Sequence, residues 1–160
     1  MITCTFENNS KSSLRHVTVG VIVMKEGKVL LGKRGTYNGK PISEFGKWAI
    51  PGGFLDRDET SVDAAKRETK EELGIEINSL KLLHIVDNPN RPKEDRQNVN
   101  MVFIGDFSGE EIITNEEVTE IKWFGLDDLP PKEEMAFDFH DELMFYKRYL
   151  KENFQIPVLN

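Results

Sequence analysis

Residues 51–77 read PGGFLDRDETSVDAAKRETKEELGIEI. The middle of this stretch carries the marks of a single helix. Thr60 can cap its start, Asp63 three residues later completes a capping-box pattern, and Gly74 stands where a left-handed C-terminal cap belongs. Val62, Ala65, Thr69 and Leu73 recur at helical spacing and form a narrow apolar stripe. Glu68, Glu71 and Glu72 fall at i, i+3 and i+4, which crowds three carboxylates onto one patch within about one turn.

Such a patch is poor for stability. Like charges at these spacings destabilise a helix by roughly 0.2–0.5 kcal/mol per pair, and the C-terminal end of the macrodipole disfavours negative charge. Taken alone, the triplet reads as a solvated acidic face partly neutralised by Lys66, Arg67 and Lys70, since Glu-rich helices are common. A hard divalent cation resolves the conflict differently, because clustered carboxylate oxygens are what Mg²⁺ or Mn²⁺ prefers.

The flanking residues favour the second reading. Gly53, Glu59, Arg67-Glu68, Glu71-Glu72 and Gly74-Ile75 resemble the Nudix box, G-x5-E-x7-R-E-U-x-E-E-x-G-U with U aliphatic, over a 23-residue span. Thr69 is the one departure, at a position where the family prefers an aliphatic side chain; its methyl can still pack. The resemblance implies an α/β fold (α+β in its mixed sheet), an α/β/α sandwich bearing a strand-loop-helix-loop catalytic element. It further implies metal-dependent hydrolysis of a nucleoside diphosphate linked to a moiety X. Carried over by position, Glu68, Glu71 and Glu72 would hold Mg²⁺ or Mn²⁺, one of them also serving as base, and the Gly52 carbonyl would be a further ligand. Arg67 and Glu59 would form an ion pair shaping the loop. That pairing needs Glu59 to precede the helix, since eight helical residues would separate the two by about 12 Å along the axis.

Length and composition bound the remainder. A chain of 160 residues, 38% hydrophobic and 31% charged, suits one compact domain with a sizeable core. The expected boundaries are an N-terminal tail or loop over 1–16, a hydrolase domain over 17–150 and a C-terminal tail over 151–160. No apolar run approaches a membrane span or a signal-peptide core. Cys4 is the single cysteine, which excludes an internal disulfide and a cysteine zinc cluster and makes a reducing, cytoplasmic location the default. The net charge of −7 disfavours binding nucleic acid through a basic surface. A small nucleoside diphosphate derivative is therefore the expected partner, with neither membrane nor specific nucleic acid, while homodimerisation stays open. Bound divalent cations would invert the local sign where a polyphosphate approaches.

Along the chain, residues 1–13 read as loop. Val17 to Met24 is a buried strand, and Lys28 to Arg34 is its hairpin partner across the Glu26-Gly27 turn. Arg34 is either a solvated strand-end charge or, as the family's LL-x-x-R strand suggests, a phosphate or base contact. Gly35 to Gly46 is a long polar loop whose Tyr37 and Phe45 could stack on a base or simply pack. KWAIPGGF, with Trp48 in the core, looks like the family's strand entering the box. Leu80 to Val86 and Val99 to Phe107 read as strands. Between them, the charged loop Asp87 to Asn98 offers Arg91, Lys93 and Arg96 for phosphate or ribose. Glu117 is the choice for a further catalytic carboxylate ahead of the Trp123 strand, with Glu116 and Glu120 as rivals. Phe139, Leu143, Tyr146 and Leu150 mark a closing helix over Phe137 to Leu150. His16, His84 and His140 read as structural or solvated.

Rival classes fit less well. A Nudix fold used only for binding should have lost a box carboxylate, and a transcription regulator of this kind needs a further DNA-binding domain. Isopentenyl diphosphate isomerase shares the fold but needs a catalytic cysteine, and Cys4 lies far from any motif. KWAIPGGF and MAFDFHDEL look more like the ADP-ribose pyrophosphatase-like branch than the enzymes that remove oxidised nucleoside triphosphates. Those enzymes present an asparagine to the base after a Pro-Pro stretch, and residues 130–137 contain none.

Overall fold

The computed structural model describes residues 2–91 and 97–159. In chain order the strands are β1 Ile2–Thr5, β2 Lys11–Leu14, β3 Val17–Lys25, β4 Lys28–Arg34, β5 Thr36–Tyr37, β6 Lys40–Pro41 and β7 Trp48–Ala49. Helix α1, Ser61–Leu73, follows, then β8 Glu76–Val86, β9 Val99–Ser108 and β10 Val118–Gly125. Helix α2, Phe139–Glu152, and the short β11 Val158–Leu159 complete the order. The main sheet runs β10-β4-β3-β9-β8-β11, with β7 added to β4. It is mixed: β3 and β9 are parallel, as are β8 and β11, whereas the other neighbours are antiparallel.

The centre follows from residue type. β3 reads VTVGVIVMK, a β-branched run suited to a strand covered on both faces. Alternation then sorts its side chains. Val19, Val21 and Val23 pack with Ala64, Ala65 and Leu73 of α1, while Ile22 packs with Leu143 and Tyr146 of α2. β4 divides in the same way, Leu30 toward α1 and Val29 and Leu31 toward α2. Two cores, one on each face of the sheet, make the expected sandwich.

Several boundaries differ from the sequence reading. The residues expected as an N-terminal loop pair as a hairpin, β1 with β2, in register from Ile2↔Leu14 to Thr5↔Lys11. β8 starts at Glu76 rather than Leu80, because Ile77 pairs opposite Phe107 and extends the ladder through a polar stretch. Gly35 to Gly46 holds the small hairpin β5–β6. The segment expected as a C-terminal tail continues α2 to Glu152 and returns as β11, pairing Val158 with His84. Val62 is 40% exposed, and Ala64 takes the buried position beside Ala65. Among the described residues no helix is long and apolar enough to cross a membrane.

The closing helix buries Leu143 and Tyr146, whereas Leu150, expected on the same stripe, is 53% exposed. Leu143→Ala should therefore cost about 2–5 kcal/mol through lost burial and a residual cavity. Leu150→Ala should stay within about 0.5 kcal/mol of the parent. Urea unfolding of both variants separates the two, and comparable losses would mean that α2 docks by a different face.

Candidate active site

The site begins where the sheet opens. β3 and β4 pair only next to their turn, at Met24↔Val29 and Lys25↔Lys28. Further along β3, its amides turn to the loop that follows β7. Val21 N donates to the Pro51 carbonyl and Val19 N to the Gly53 carbonyl, each at 2.9 Å, while Leu55 N donates back to the Val17 carbonyl at 3.0 Å. The loop thus lies in the sheet as an extra edge. Gly52 is required there: its φ is +151°, and a Cβ would sit 2.1 Å from the Val19 carbonyl oxygen. At Gly53 a Cβ would fall 2.4–2.6 Å from the Glu68 carboxyl group. Gly52 therefore lets the loop lie against β3, and Gly53 leaves room for the Glu68 carboxyl group.

Helix α1 has the caps its sequence asks for. Thr60 Oγ1 accepts from Asp63 N at 3.1 Å, and Gly74 adopts φ +69°. Thr69 is fully buried, and its hydroxyl is satisfied by donating to the Ala65 carbonyl at 2.7 Å, so the departure from the motif leaves no orphan group. Glu59 lies ahead of the helix, and the chain curls back so that Arg67 reaches it twice, Nη2 to Oε1 at 2.8 Å and Nε to Oε2 at 3.1 Å. The same guanidinium donates to the Phe54 carbonyl at 3.1 Å, to Glu68 Oε1 at 2.8 Å and to Glu71 Oε2 at 3.1 Å. The Arg67 hydrogen bond holds the Glu59 carboxyl below its usual range, helped by the Asp56 amide.

The three glutamates have different surroundings. Glu72 is the most enclosed; burial pushes it up to about 8, although Gly52 N donates to its Oε2 at 3.0 Å. Glu68 is also raised by burial, against the opposing pull of Arg67. Glu71 is half exposed, its side chain 54% accessible. Its carbonyl accepts from the Thr114 hydroxyl and from Asn115 Nδ2.

Glu117 shares a recess with Glu72 and Arg34, and burial raises its pKa while Arg34 opposes the shift. Its two rivals are engaged elsewhere. Glu116 secures the β5–β6 hairpin through Thr36 Oγ1 at 2.7 Å and Gly39 N at 3.2 Å. Glu120 pairs with Lys33 at 3.4 Å on the outer strand.

A cleft of about 710 Å³ collects Gly52, Arg67, Glu68, Glu71, Glu72 and Glu117 on one side. Arg34, Tyr37, Arg91, Asn98, Phe137 and Phe139 reach the same cavity. Arg34 donates from Nε to the Ser43 carbonyl at 2.7 Å and stands over the Phe137 ring at 5.3 Å. Arg91 lines the cleft as well, but it is buried and bound to Asp138, Nε to Oδ1 at 2.7 Å, so its charge is largely neutralised. Arg96, like Lys93, lies outside the described residues.

Tyr37 borders the cleft, Phe45 is not among its lining residues, and Trp48 is core. His84 stacks on Phe145, and burial lowers it to about 4. Sequence reasoning missed Phe137 and Asn98. Phe137 takes φ +49°, a left-handed backbone that costs a bulky residue on the order of 1–3 kcal/mol and that no pattern announces.

The donors present suit a hard cation. Carboxylates and a carbonyl are oxygen ligands, and the raised pKa of buried Glu68 and Glu72 is an unmet demand for positive charge. Among the described residues, however, no three acidic, histidine or cysteine groups converge on a cation position as the side chains stand. Arg67 Nη1 occupies the place between Glu68 and Glu71 instead.

The sequence profile of the NUDIX domain matches residues 14–145. The chain belongs to the Nudix hydrolase family. Members hydrolyse pyrophosphate bonds, and this enzyme is a hydrolase of that class. It is 34% identical over 133 residues to the ADP-ribose pyrophosphatase of Methanocaldococcus jannaschii, covering 83% of this chain and 73% of that protein. It is 30% identical over 112 residues to the NAD-capped RNA hydrolase NudC of Vibrio parahaemolyticus, which is 69% of this chain but 39% of that longer protein. The crystal structure of the MutT NUDIX hydrolase of Burkholderia pseudomallei superposes with a TM-score of 0.71 at 32% identity, over 82% of this chain and 97% of that one.

Glu72 gives this Nudix hydrolase a pH signature in chelator. The folded state keeps the Glu72 proton up to about pH 8, whereas an unfolded chain releases it near 4.5. The folded state thus binds more protons across that window, and metal-free stability falls as pH rises through it. Glu72→Gln removes this group's share of the dependence. At about 1.4 kcal/mol per pH unit of displacement, the variant should gain on the wild type by a few kcal/mol between about pH 5 and 8. Urea titrations in EDTA at several pH values measure the gap, and a constant gap would show Glu72 ionised throughout.

Proposed function

We propose that the chain hydrolyses ADP-ribose, or a closely similar nucleoside diphosphate derivative, to AMP and a sugar phosphate with the help of Mg²⁺ or Mn²⁺. The observation that carries this reading is the 34% identity to an ADP-ribose pyrophosphatase across most of both chains. A cleft of about 710 Å³ that joins the acidic helix to an aromatic wall supports it, since ligand sites of this kind run to roughly 300–1,000 Å³.

Glu68, Glu71, Glu72 and the Gly52 carbonyl would hold the cation. When bound, it would screen the diphosphate and activate a water for attack on phosphorus. Arg67 keeps the loop and helix in register through Glu59, and those two bonds do not involve Nη1. Nη1 can therefore release Glu68 and Glu71 without loosening the loop. Glu117 would take the proton of the attacking water; the bonds that engage Glu68 and Glu71 through Arg67 and Glu72 through the Gly52 amide do not involve it. Arg34 supplies positive charge beside Glu72 and Glu117, where an anionic phosphate would arrive.

The likeness to a MutT NUDIX hydrolase favours a second reading, removal of oxidised nucleoside triphosphates. The sequence argument against it is weakened by the fold. Residues 130–137 lack asparagine, yet Asn98 and Asn100 both reach the cleft from the start of β9.

Two measurements test the proposal. Purified enzyme offered ADP-ribose and 8-oxo-dGTP should show the higher kcat/KM for ADP-ribose, with AMP as product; a tenfold preference for 8-oxo-dGTP would install the second reading. Millimolar Mg²⁺ or Mn²⁺ should raise the melting temperature of wild type more than that of Glu68→Gln, a cation at a hundredfold excess over Kd being worth about 2.7 kcal/mol. Equal shifts would reduce the effect to general screening of an acidic surface.

A further inference from the structure

The last turn of α1 is closed by the segment that leads into β10. A helix end leaves its final carbonyls without partners inside the helix. Here Gly74 N donates to the Lys70 carbonyl at 3.0 Å, and Ile112 N to that of Leu73 at 2.9 Å. The Glu71 carbonyl receives two donors, the Thr114 hydroxyl and Asn115 Nδ2, the latter at 2.8 Å. Asn115 makes a second bond. Its Oδ1 accepts from the Glu117 amide at 2.9 Å, the turn that an asparagine closes with the backbone two residues on. Thr114 thus serves the helix, whereas Asn115 holds the helix with one end of its amide and the backbone of Glu117 with the other.

That bridge joins two parts of the site that arrive separately. Glu68, Glu71 and Glu72 share one helix, but Glu117 follows only after β8 and β9. Its carbonyl accepts from Gly35 N at 2.7 Å, and the Glu116 carbonyl accepts from Thr36 N at 2.8 Å, which moors the segment to the end of β4. Those bonds set it against the sheet; Asn115 sets it against the helix. A general base has to lie within hydrogen-bond reach, about 2.6–3.2 Å, of the water it deprotonates. A misplacement of about 1 Å can cost on the order of a hundredfold in rate. The Asn115 side chain is short and bonded at both ends, so it leaves little slack between Glu71 and Glu117.

We propose that Asn115 is a positioning residue for the hydrolysis, holding Glu117 in register with the carboxylates of the box. Asn115 is not among the residues that line the cleft, so it acts through Glu117. Glu117 takes the proton as the water oxygen bonds to phosphorus and the bond from phosphorus to the leaving phosphate breaks. The inference rests on the part of the proposed function that makes Glu117 the base, and it is independent of the choice of substrate.

A double-mutant cycle separates positioning from simple capping of the helix. With ADP-ribose, or with 8-oxo-dGTP if that is what the enzyme cleaves, Asn115→Ala should lower kcat at least tenfold and leave KM within about threefold. Glu117→Gln should lower kcat at least as far. In the Glu117→Gln background, Asn115→Ala should cost less than about twofold, because no base is left to position. A loss that multiplies in the double variant would reduce Asn115 to a helix cap. Asn115→Asp keeps the acceptor for the Glu117 amide but has no hydrogen to give Glu71, so it should lose kcat as well; full activity there would overturn the bridge. Mn²⁺ should raise the melting temperature of Asn115→Ala as much as that of wild type, since the box carboxylates are untouched. A smaller rise would mean that the substitution acts on those carboxylates instead of Glu117. Should Asn115→Ala fail to fold, the same cycle run with Asn115→Asp decides the matter. An undiminished kcat in Glu117→Gln removes the base from the proposed function and the bridge with it. A large loss in Glu117→Gln beside an unaffected Asn115→Ala removes the bridge alone.

Discussion

The parting of β3 from β4 is the constraint on which the rest of the structure depends. Two strands joined by a tight turn would ordinarily zip along their length, but here pairing stops after Met24↔Val29. The exposed amides of β3 must then find acceptors, since a buried strand cannot leave a row of donors unmet. They take the Pro51 and Gly53 carbonyls. That choice fixes the path of the loop, sets the Gly52 amide against Glu72, and brings the Glu68 carboxyl group of α1 close against Gly53. The geometry of the acidic site is thus an outcome of sheet architecture.

An acidic site so enclosed has to manage its own charge. Glu68 and Glu72 are pressed toward their neutral forms by burial, and Glu117 beside them is shifted the same way. Arg67 answers part of this by bonding two box carboxylates in addition to Glu59. One guanidinium cannot neutralise all of these carboxylates, so the site keeps an appetite for further positive charge. The macrodipole adds to it, because the carboxylates lie at the helix end where negative charge is least welcome. Local destabilisation of this kind is a common companion of function, and the two cores on either face of the sheet are what hold the helix in place against it.

What could be read from the chain alone divides along the same line. The box helix, its caps and the Glu59–Arg67 pair were legible because they lie within one continuous stretch, where spacing translates directly into faces and ends. β3, β4 and β9 were legible from apolar runs. The N-terminal hairpin was not, because β1 and β2 are largely exposed and their polar residues show no buried alternation. β11 was not, because a two-residue parallel pairing is made by backbone alone. Leu150 fits the helical period yet is exposed, while its neighbour Tyr149 packs against the core. Arg91 was a candidate for phosphate or ribose from its loop, and its charge is matched by Asp138, 47 residues away in sequence. Glu142 is buried in the first turn of α2 beside the same Arg91. Only closure of the fold makes either placement intelligible.

The cleft accordingly has two sides with different origins. The side that meets the diphosphate is drawn from residues 52–72 with Glu117 added, nearly all on one rigid element, so it changes only if the motif itself changes. The rest of the wall draws on Arg91, Asn98 and Phe137, which come from separate segments of the chain, while Arg34 stands beside Glu72 and Glu117. Arg91 bonds Asp138 rather than any carboxylate of the box. Chemistry and substrate choice are therefore physically separable in this fold. A family motif carries the first, and the second is left to the side chains that line the rest of the cleft.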